Sequence, residues 1–539
     1  MSSSTDGTAA NSLAAERLDA DVVVVGYGPV GQAAAVLLAQ HGWRVTVVER
    51  HSSAYARPRA VSFDDEVGRL LASAGIADGL RHISQPGSDY VWRNAAGETL
   101  LHFEYTGAGP SGWPVTSSFH QPALEELLDR RARSVPGLTV LRGLSAVSLA
   151  DDDGVVTLTT EQPDGTRNEL RSHWLIGCDG ANSFVRDALG VAREDLGFCY
   201  DWLIVDVVLD EPRDFSPTNL QICDPARPVT MVSGGPGHRR WEFMRLPTET
   251  LDELNDLDTA WRLLAPFDVT PRNANIVRHA AYTFQARWAR RWRAGRVFLA
   301  GDAAHLMPPF AGQGLCSGIR DAANLAWKLD LVLCGVASAR LLDTYEVERS
   351  GHVRRAIDLS VELGKIICLA DPAEAAVRDA YMSSLHVDPT KLLGAVPPPR
   401  LTGGLLHRGQ GGSPAGPAGL LMPQGRVRRG EQTGLLDDVL GRGFMVLCTE
   451  GLGATLTDER RRLLDAVGGQ LVELVPADRS AAGIVVDVDG THLRALADLG
   501  AVAVVVRPDG HIFGAAAQPS DLDGLLGDLA EQLNGAIAP

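Results

Sequence analysis

A chain of 539 residues, 45% hydrophobic and 22% charged, has material for two or three full cores and the balance of a soluble globular protein. Its formal charge of −17 argues against nucleic acid or an anionic membrane as partner, because both call for a basic face that displaces counterions. The seven cysteines include no C-x-x-C pair, and no His cluster stands at ligand spacing; no metal and no disulfide framework are expected, and redox chemistry has to come from an organic cofactor.

Residues 1–20 carry Asp6, Glu16 and Asp19, with neither a basic leader nor an apolar core, and read as a disordered tail. No apolar run has the length of a membrane span, so a cytoplasmic address is expected. The β-branched run Val22–Val25 then meets Gly26-x-Gly28-x-x-Gly31, a helical stretch Gln32–His41 and a second strand, Arg44–Val48, ending in Glu49. In that order each part has a task. Gly26 allows the turn, Gly28 admits a pyrophosphate, Gly31 lets helix and strand pack, and Glu49 is placed to accept ribose hydroxyls. Pro29, Val30 and Arg50 flank the same turn. FAD and NAD both fit this motif.

Arg57-Pro58-Arg59-Ala60 is followed by a helical pattern, Asp65–Ala74, with Gly75 as its expected cap. Gln121-Pro122 opens a further helix, and Gln121 either leans on a cofactor or caps its own helix. Strands are expected over Leu138–Leu149 and Val155–Thr160. Trp174–Gly177 leads into Asp179-Gly180, another strand and tight turn, where Arg186 anchors the turn or a phosphate. Between Tyr200 and Arg287 the pattern becomes strand-like, as in a separate antiparallel sheet with one face free to line a pocket. The run Val297–Ala300 ends in Gly301-Asp302, and Pro309-Phe310-Ala311-Gly312-Gln313-Gly314-Leu315 opens an amphipathic helical region reaching about Leu369. A helix start of this kind directs N–H groups and a positive dipole end at an anionic ligand. Two Pro/Gly-rich stretches, 396–404 and 409–419, read as connections to a small α/β unit.

The Gly26-x-Gly28-x-x-Gly31 turn with Glu49, then Asp179-Gly180, then Gly301-Asp302 together resemble the class A FAD-dependent aromatic hydroxylases. The C-terminal unit ending in Val506-Arg507-Pro508-Asp509-Gly510 looks like that of the phenol-hydroxylase branch. Pro58-Arg59-Ala60 before Asp64-Asp65-Glu66, Cys223-Asp224-Pro225-x-Arg227-Pro228, Arg240-x-Glu242-Phe243-Met244 and Gly312-Gln313-Gly314 are most similar to the 3-(3-hydroxyphenyl)propionate hydroxylases. The resemblance implies an α/β architecture. A discontinuous Rossmann-like FAD-binding domain would span 21–199 and 288–393, an antiparallel-sheet substrate domain 200–287, a linker 394–430 and a thioredoxin-like domain 431–539. It also implies FAD, NADH or NADPH as donor, O2 as co-substrate, and a phenol hydroxylated ortho to its hydroxyl through a C4a-hydroperoxyflavin. By the same resemblance Arg59 and Gln121 contact the cofactor, Asp302 its ribityl chain, and Pro309–Leu315 the isoalloxazine edge.

Two departures, Phe310 in place of a bulkier tryptophan segment and Cys316 after the Gly-x-Gly, leave room for another phenol, including a natural-product aromatic. An acceptor for the phenol proton is expected among Tyr200, His238 and His305, with the carbonyls near Pro309 assisting. Arg227, Arg239 and Arg240 are the cations suited to a substrate carboxylate, and Phe310 an aromatic wall. A homodimer is compatible with this reading, as is a protein of another class that holds flavin without inserting oxygen.

Overall fold

The computed structural model describes residues 18–53, 59–152, 154–385, 388, 400–409, 411–479 and 484–535. Most of the expected tail and the Arg57-Pro58 pair lie outside these residues.

The valine run Val22–Val25 is buried on both faces at the centre of a six-stranded sheet. Its neighbours Val45–Glu49 and Trp174–Gly177 run parallel to it, as do Leu138–Arg142 and Val297–Leu299 beyond them, with Arg293–Ala294 as an antiparallel edge. Strands buried on both sides need no polar alternation, which is why Val22–Val25 and Val45–Val48 read as unbroken β-branched runs. The late strand Val297–Leu299 joins the sheet beside Trp174–Gly177, so the fold is closed by chain that returns from the second sheet.

Helix Pro29–Gln40 starts at the proline that follows Gly28 and packs against the long helix Gln313–Leu333. Their closeness depends on Gly318, where an added Cβ would come within 2.5 Å of Val30. Helix Asp65–Leu71 does not end at a glycine cap as expected. Gly75, at φ 82°, kinks a π turn, Ala72–Ile76, and the chain continues into helix Ala77–Ile83. The expected strand Leu138–Leu149 is two strands. Leu138–Arg142 belongs to the parallel sheet, and after Gly143 at φ 73° the segment Ser145–Asp152 joins a three-stranded antiparallel sheet with Val155–Glu161 and Arg167–Ser172.

The second large sheet has eight strands and reaches past the expected 200–287. Its long strands Arg193–Leu209 and Ala274–Ala289 pair antiparallel, followed by His238–Met244, Val229–Ser233 and Asn219–Cys223. The hairpin Asp89–Asn94/Thr99–Glu104 completes one edge and His305–Leu306 the other. Period-two alternation sorts its residues. Leu203, Val205, Trp241 and Phe243 pack outward on the short helices Leu251–Leu254 and Leu257–Leu264, while Ile204, Asp206, Arg240 and Glu242 face the first domain.

The C-terminal sheet has seven strands, in the spatial order Gln432–Leu435, Arg426–Arg429, Val485–Asp487, Gln470–Pro476, Met445–Thr449, Ala503–Val506, Ile512–Ala516. The stretch expected as linker is therefore partly structural. Arg426–Arg429 is a strand of this sheet, and Leu401, Leu406 and Ala418 are buried together. Two ionic knots attach this unit. Arg69 reaches Asp437 at 2.7 Å, and Arg507, fully buried, reaches Glu348 at 2.6 Å and Asp509 at 2.6 Å, with Lys328 at 2.8 Å from Glu348. Burial alone would push the Glu348 carboxyl up, but Arg507 and Lys328 outweigh it and hold it down to about 2.

Removing one partner of such a set strands the others in a dry interior, so Glu348→Ala is expected to destabilise the protein by about 3–5 kcal/mol in denaturant unfolding. With its folded value below its ordinary 4.5, Glu348 contributes stability that is complete above that value and is lost as pH falls toward about 2. The variant should lack that acid-side loss.

Candidate active site

Both helix starts open onto a cavity of about 1250 Å³, whose lining comes from the parallel sheet and the eight-stranded sheet. Helix Pro29–Gln40 is preceded by Gly28 and helix Gln313–Leu333 by Gly312 at φ 65°, and neither has a side-chain cap. Their first N–H groups are thus available to an anionic ligand. Gly28 has open space where a Cβ would stand. By contrast a Cβ on Gly31 would lie 2.1 Å from the Gly26 carbonyl oxygen, and one on Gly26 2.4 Å from that of Cys178. Gly26, at φ 100°, and Gly31 close the turn; Gly28 leaves room for a group lying across it.

Glu49 accepts the N–H groups of Tyr27 and His51, both at 2.8 Å, which holds its carboxylate at the end of its strand and at the cavity wall. Gln121 Oε1 accepts the N–H groups of Arg59 and Ala60 at 2.8 and 2.7 Å, while its Nε2 donates to Glu125. The residue therefore positions the Arg59 segment as well as lining the cavity. Arg59 Nη1 meets Asp302 at 2.9 Å, an ion pair more than a third exposed on both sides and hence weak. Asp179 is occupied with Ser183 Oγ and the Val185 N–H, starting helix Phe184–Ala188. Arg186 donates to the carbonyls of Ala181 and Ala303, both at 3.2 Å, tying the Asp-Gly turn to the Gly-Asp turn; it anchors the turns rather than a phosphate.

Of the residues expected at the cofactor, Gly26, Gly28, Pro29, Val30, Glu49, Arg50, Arg59, Gln121, Asp179, Asp302, Pro309, Gly312, Gly314 and Leu315 all line the cavity. Gly31 packs behind it. An anion-accepting pair of helix starts, an open glycine and a carboxylate at the second strand end fit a dinucleotide.

The substrate side differs from the expected set. Arg240 lines the cavity, but Asp206 takes its Nε at 2.6 Å and its Nη2 at 3.1 Å, and its Nη1 donates to the Arg59 carbonyl at 2.6 Å. Arg227 is drawn to Glu249 and the Met244 carbonyl, outside the cavity. Arg239 points to the opposite face of its strand, with the Thr218 carbonyl at 2.8 Å and the Phe215 ring 4.1 Å away. Burial pushes its guanidinium down to about 10, with the nearby Arg213 adding to that.

Tyr200, 38% exposed, packs on Phe198 and does not line the cavity. His238 stacks on His120 at 3.9 Å; burial lowers the pKa of both rings, so they pack as neutral imidazoles. His305 is buried, donating from Nε2 to Asp321 at 2.7 Å beneath the Gly301 loop. These three are structural in this arrangement. Cys316 is buried with its Sγ toward the Gly312 carbonyl, away from the cavity, so the reshaping of the pocket falls to Phe310. Phe310 meets Phe198, Trp202 and Phe284 edge-on.

The structure adds residues that the sequence reading did not assign to the site. Tyr90 and Trp92 on one hairpin strand, with Phe103 on the other and Tyr105 just past its end, form an aromatic wall, an i, i+2 pattern visible in the sequence. Asp206, Glu242, Arg278 and Tyr282 line or support the wall beside Arg240.

The FAD binding domain family matches residues 19–360, and a second family, the HcaD C-terminal domain, matches 419–532. The chain belongs to the FAD-dependent aromatic hydroxylases. It is 37% identical over 530 residues, covering 97% of this chain and 96% of the relative, to a Rhodococcus jostii protein named "Probable NADH-specific resorcinol 4-hydroxylase". It is 38% identical over 458 residues, 83% of this chain and 79% of the relative, to a 3-(3-hydroxy-phenyl)propionate/3-hydroxycinnamic acid hydroxylase of Mycobacterium sp. (strain JLS). Among solved structures, aklavinone-11 hydroxylase in a ternary complex with FAD and aklavinone matches with TM-score 0.76 and 26% identity, over 96% of this chain and 99% of that one. This hydroxylase is therefore an FAD enzyme that takes electrons from a nicotinamide donor and consumes O2. Among the described residues no helix is long and apolar enough to cross a membrane, and no His/Cys/Asp/Glu group is arranged to hold a metal.

The glycines give a paired prediction. Gly28→Ala should leave the apo-protein's unfolding midpoint near wild type yet purify with little flavin, because its methyl enters only the cavity. Gly31→Ala should lower both, because it collides with backbone; absorbance of bound flavin and thermal unfolding of the apo-proteins report the two outcomes.

Proposed function

We propose that this hydroxylase acts on a small uncharged phenol of the resorcinol type, with NADH as donor, placing the new hydroxyl ortho to an existing one. The observation that carries the reading is the commitment of the cations on the sheet wall: Arg240 and Arg278 both point at Asp206, at 2.6 and 3.2 Å. A substrate carboxylate there would have to displace Asp206 from a buried, hydrogen-bonded pair, at a cost of several kcal/mol. The relative named for resorcinol and NADH covers nearly the whole chain, which supports the same choice. A cavity of about 1250 Å³ exceeds the usual ~300–1,000 Å³ of a single-ligand pocket, as expected for a dinucleotide plus a small ring.

In this reading the Gly28 turn and Glu49 hold the adenosine diphosphate portion of FAD, Arg59 and Asp302 its middle, and Pro309–Leu315 the ring edge. FAD, when bound, supplies the oxygen chemistry. The chain supplies the rest. Two helix starts stabilise negative charge, and the aromatic wall excludes water from the reacting ring. The C-terminal unit we read as thioredoxin-like: its order of Gln470–Pro476, Met445–Thr449, Ala503–Val506 and Ile512–Ala516, parallel then antiparallel, supports that outline. Burial pushes the thiol of Cys448 up to about 12, so that unit has no thiol chemistry there. We place the enzyme in the cytoplasm, where exposed Cys199 and Cys334 stay reduced and the nicotinamide donor is made.

The test is NADH oxidation with isotopically labelled O2, offering resorcinol and 3-(3-hydroxyphenyl)propionate in parallel. Resorcinol should give labelled triol with little peroxide, and the acid slow, peroxide-forming turnover. A higher kcat/KM for the acid would reverse the assignment, and absence of label in every product would remove oxygen insertion itself.

A further inference from the structure

Glu242 stands in the middle of the cavity-facing side of the eight-stranded sheet. In register it lies between Ile204 on one neighbouring strand and Thr230 on the other. It is 6% exposed and lines the cavity. Among the described residues no hydrogen bond reaches its carboxyl. The nearest cation, Arg240 Nη1, is 3.9 Å away, beyond hydrogen-bond distance. A buried carboxyl without a donor is costly to keep unless it opens onto something that supplies one, and here it opens onto the chamber that the proposed function gives to a phenol.

We propose that the Glu242 carboxylate is the catalytic base that takes the proton from the hydroxyl of the phenolic substrate. The assignment rests on the reading of the cavity as a phenol site. The substrate O–H bond breaks, an O–H bond forms on Glu242, and the electron pair stays on the phenolate oxygen, raising electron density in the ring; the proton returns to oxygen when product leaves. Charge balance favours the transfer. Arg240, Arg278, Asp206 and ionised Glu242 sum to zero, so protonating Glu242 leaves one positive charge beside the new phenolate. The groups facing Glu242 are Asp206, Arg240, Arg278, Tyr282 and Tyr90, from three other strands and its own. Burial, reinforced by Asp206 and opposed by Arg240 and Arg278, pushes the Glu242 carboxyl up to about 7, where a base is most effective near neutral pH.

The test uses the FAD-loaded enzyme without donor, with 3-nitrophenol as coloured probe, at a pH above about 7, where Glu242 is ionised, and below the pKa of the free probe, which is then still protonated in solution. Binding is followed by the yellow phenolate band and, in the same titration, by protons released to the buffer. Wild type should show phenolate without proton release, because the proton stays on Glu242. Glu242→Gln, whose cluster already carries the extra positive charge, should show phenolate only with a proton released. With resorcinol and NADH the variant's hydroxylation rate at pH 7 should fall about 100-fold, recovering as pH rises toward the phenol's own pKa.

Retained visible flavin spectrum and thermal midpoint certify the variant's fold. Should Glu242→Gln lose flavin, Glu242→Asp, which keeps the charge but withdraws it by a methylene, is expected to slow hydroxylation with little change in probe affinity. Wild-type phenolate accompanied by a full proton release, or a substituted enzyme with unaltered rate and pH profile, would overturn the role of Glu242 while leaving the hydroxylase reading standing. Wild type that yields no oxygenated product from either phenol overturns both.

Discussion

Asp321 lies fully buried within the long helix Gln313–Leu333, where its carboxylate accepts the Gly301 N–H at 3.1 Å, His305 Nε2–H at 2.7 Å and Arg349 Nε–H at 2.9 Å. Desolvation works against its charge, but His305 and Arg349 more than compensate and keep its pKa below the ordinary carboxylate value. Through these bonds one side chain fixes the Gly-Asp loop, the short edge strand at His305 and helix Thr344–Ile367, which carries Arg349, relative to the helix start that lines the cavity. One residue before it, Arg320 joins Asp64 and Glu66 at 2.7 and 2.5 Å, so the same turn of helix also docks on helix Asp65–Leu71. The cavity is held from behind, by groups that never touch its contents, and its lining is free to be chosen for chemistry.

That division shapes the charge pattern. At one end the cavity wall includes two uncapped helix starts, whose N–H groups are fixed dipoles that need no counter-ion. At the sheet end Arg240 and Arg278 pair with Asp206, and with ionised Glu242 beside them the four groups sum to zero, next to the aromatic wall. A neutral ring can enter this end without stranding a charge, and a single proton relocated there changes the local field by a full unit at low dielectric. On the proposed reading, specificity and reactivity come from one cluster rather than from separate binding and catalytic groups.

The parts legible in the sequence were those whose meaning is local. The glycine turn, the strand that ends in Glu49, the proline-started helix at Gln121 and the Gly301-Asp302 loop each announce themselves within about ten residues, because turn geometry and helix starts are short-range. What escaped was pairing across the chain. Arg227 is occupied by Glu249 and Arg240 by Asp206, while His305 serves Asp321; each looked available when considered beside its own neighbours. Face assignment was the other gap. The motif Arg240-x-Glu242 was visible, but only the register with Asp206 and Thr230 shows that its odd partners Arg239 and Trp241 turn away. The hairpin at Asp89–Glu104 was missed as part of the second sheet because it lies far upstream of the strands it joins.

The ionic knot of Glu348, Lys328, Arg507 and Asp509 has a bearing on how such enzymes can be recombined. Half of it belongs to the long helices of the flavin lobe and half to the C-terminal unit, and Asn324 and Trp327 donate to Asp509 as well. A terminal lobe grafted from another lineage would have to bring the matching arginine and aspartate, or the helices would need apolar residues in place of Lys328 and Glu348. Inheritance of the two parts is thereby linked, although they are separate sheets, and Trp327 and Leu331 share a buried cluster with Phe444 and Val446 of the C-terminal unit.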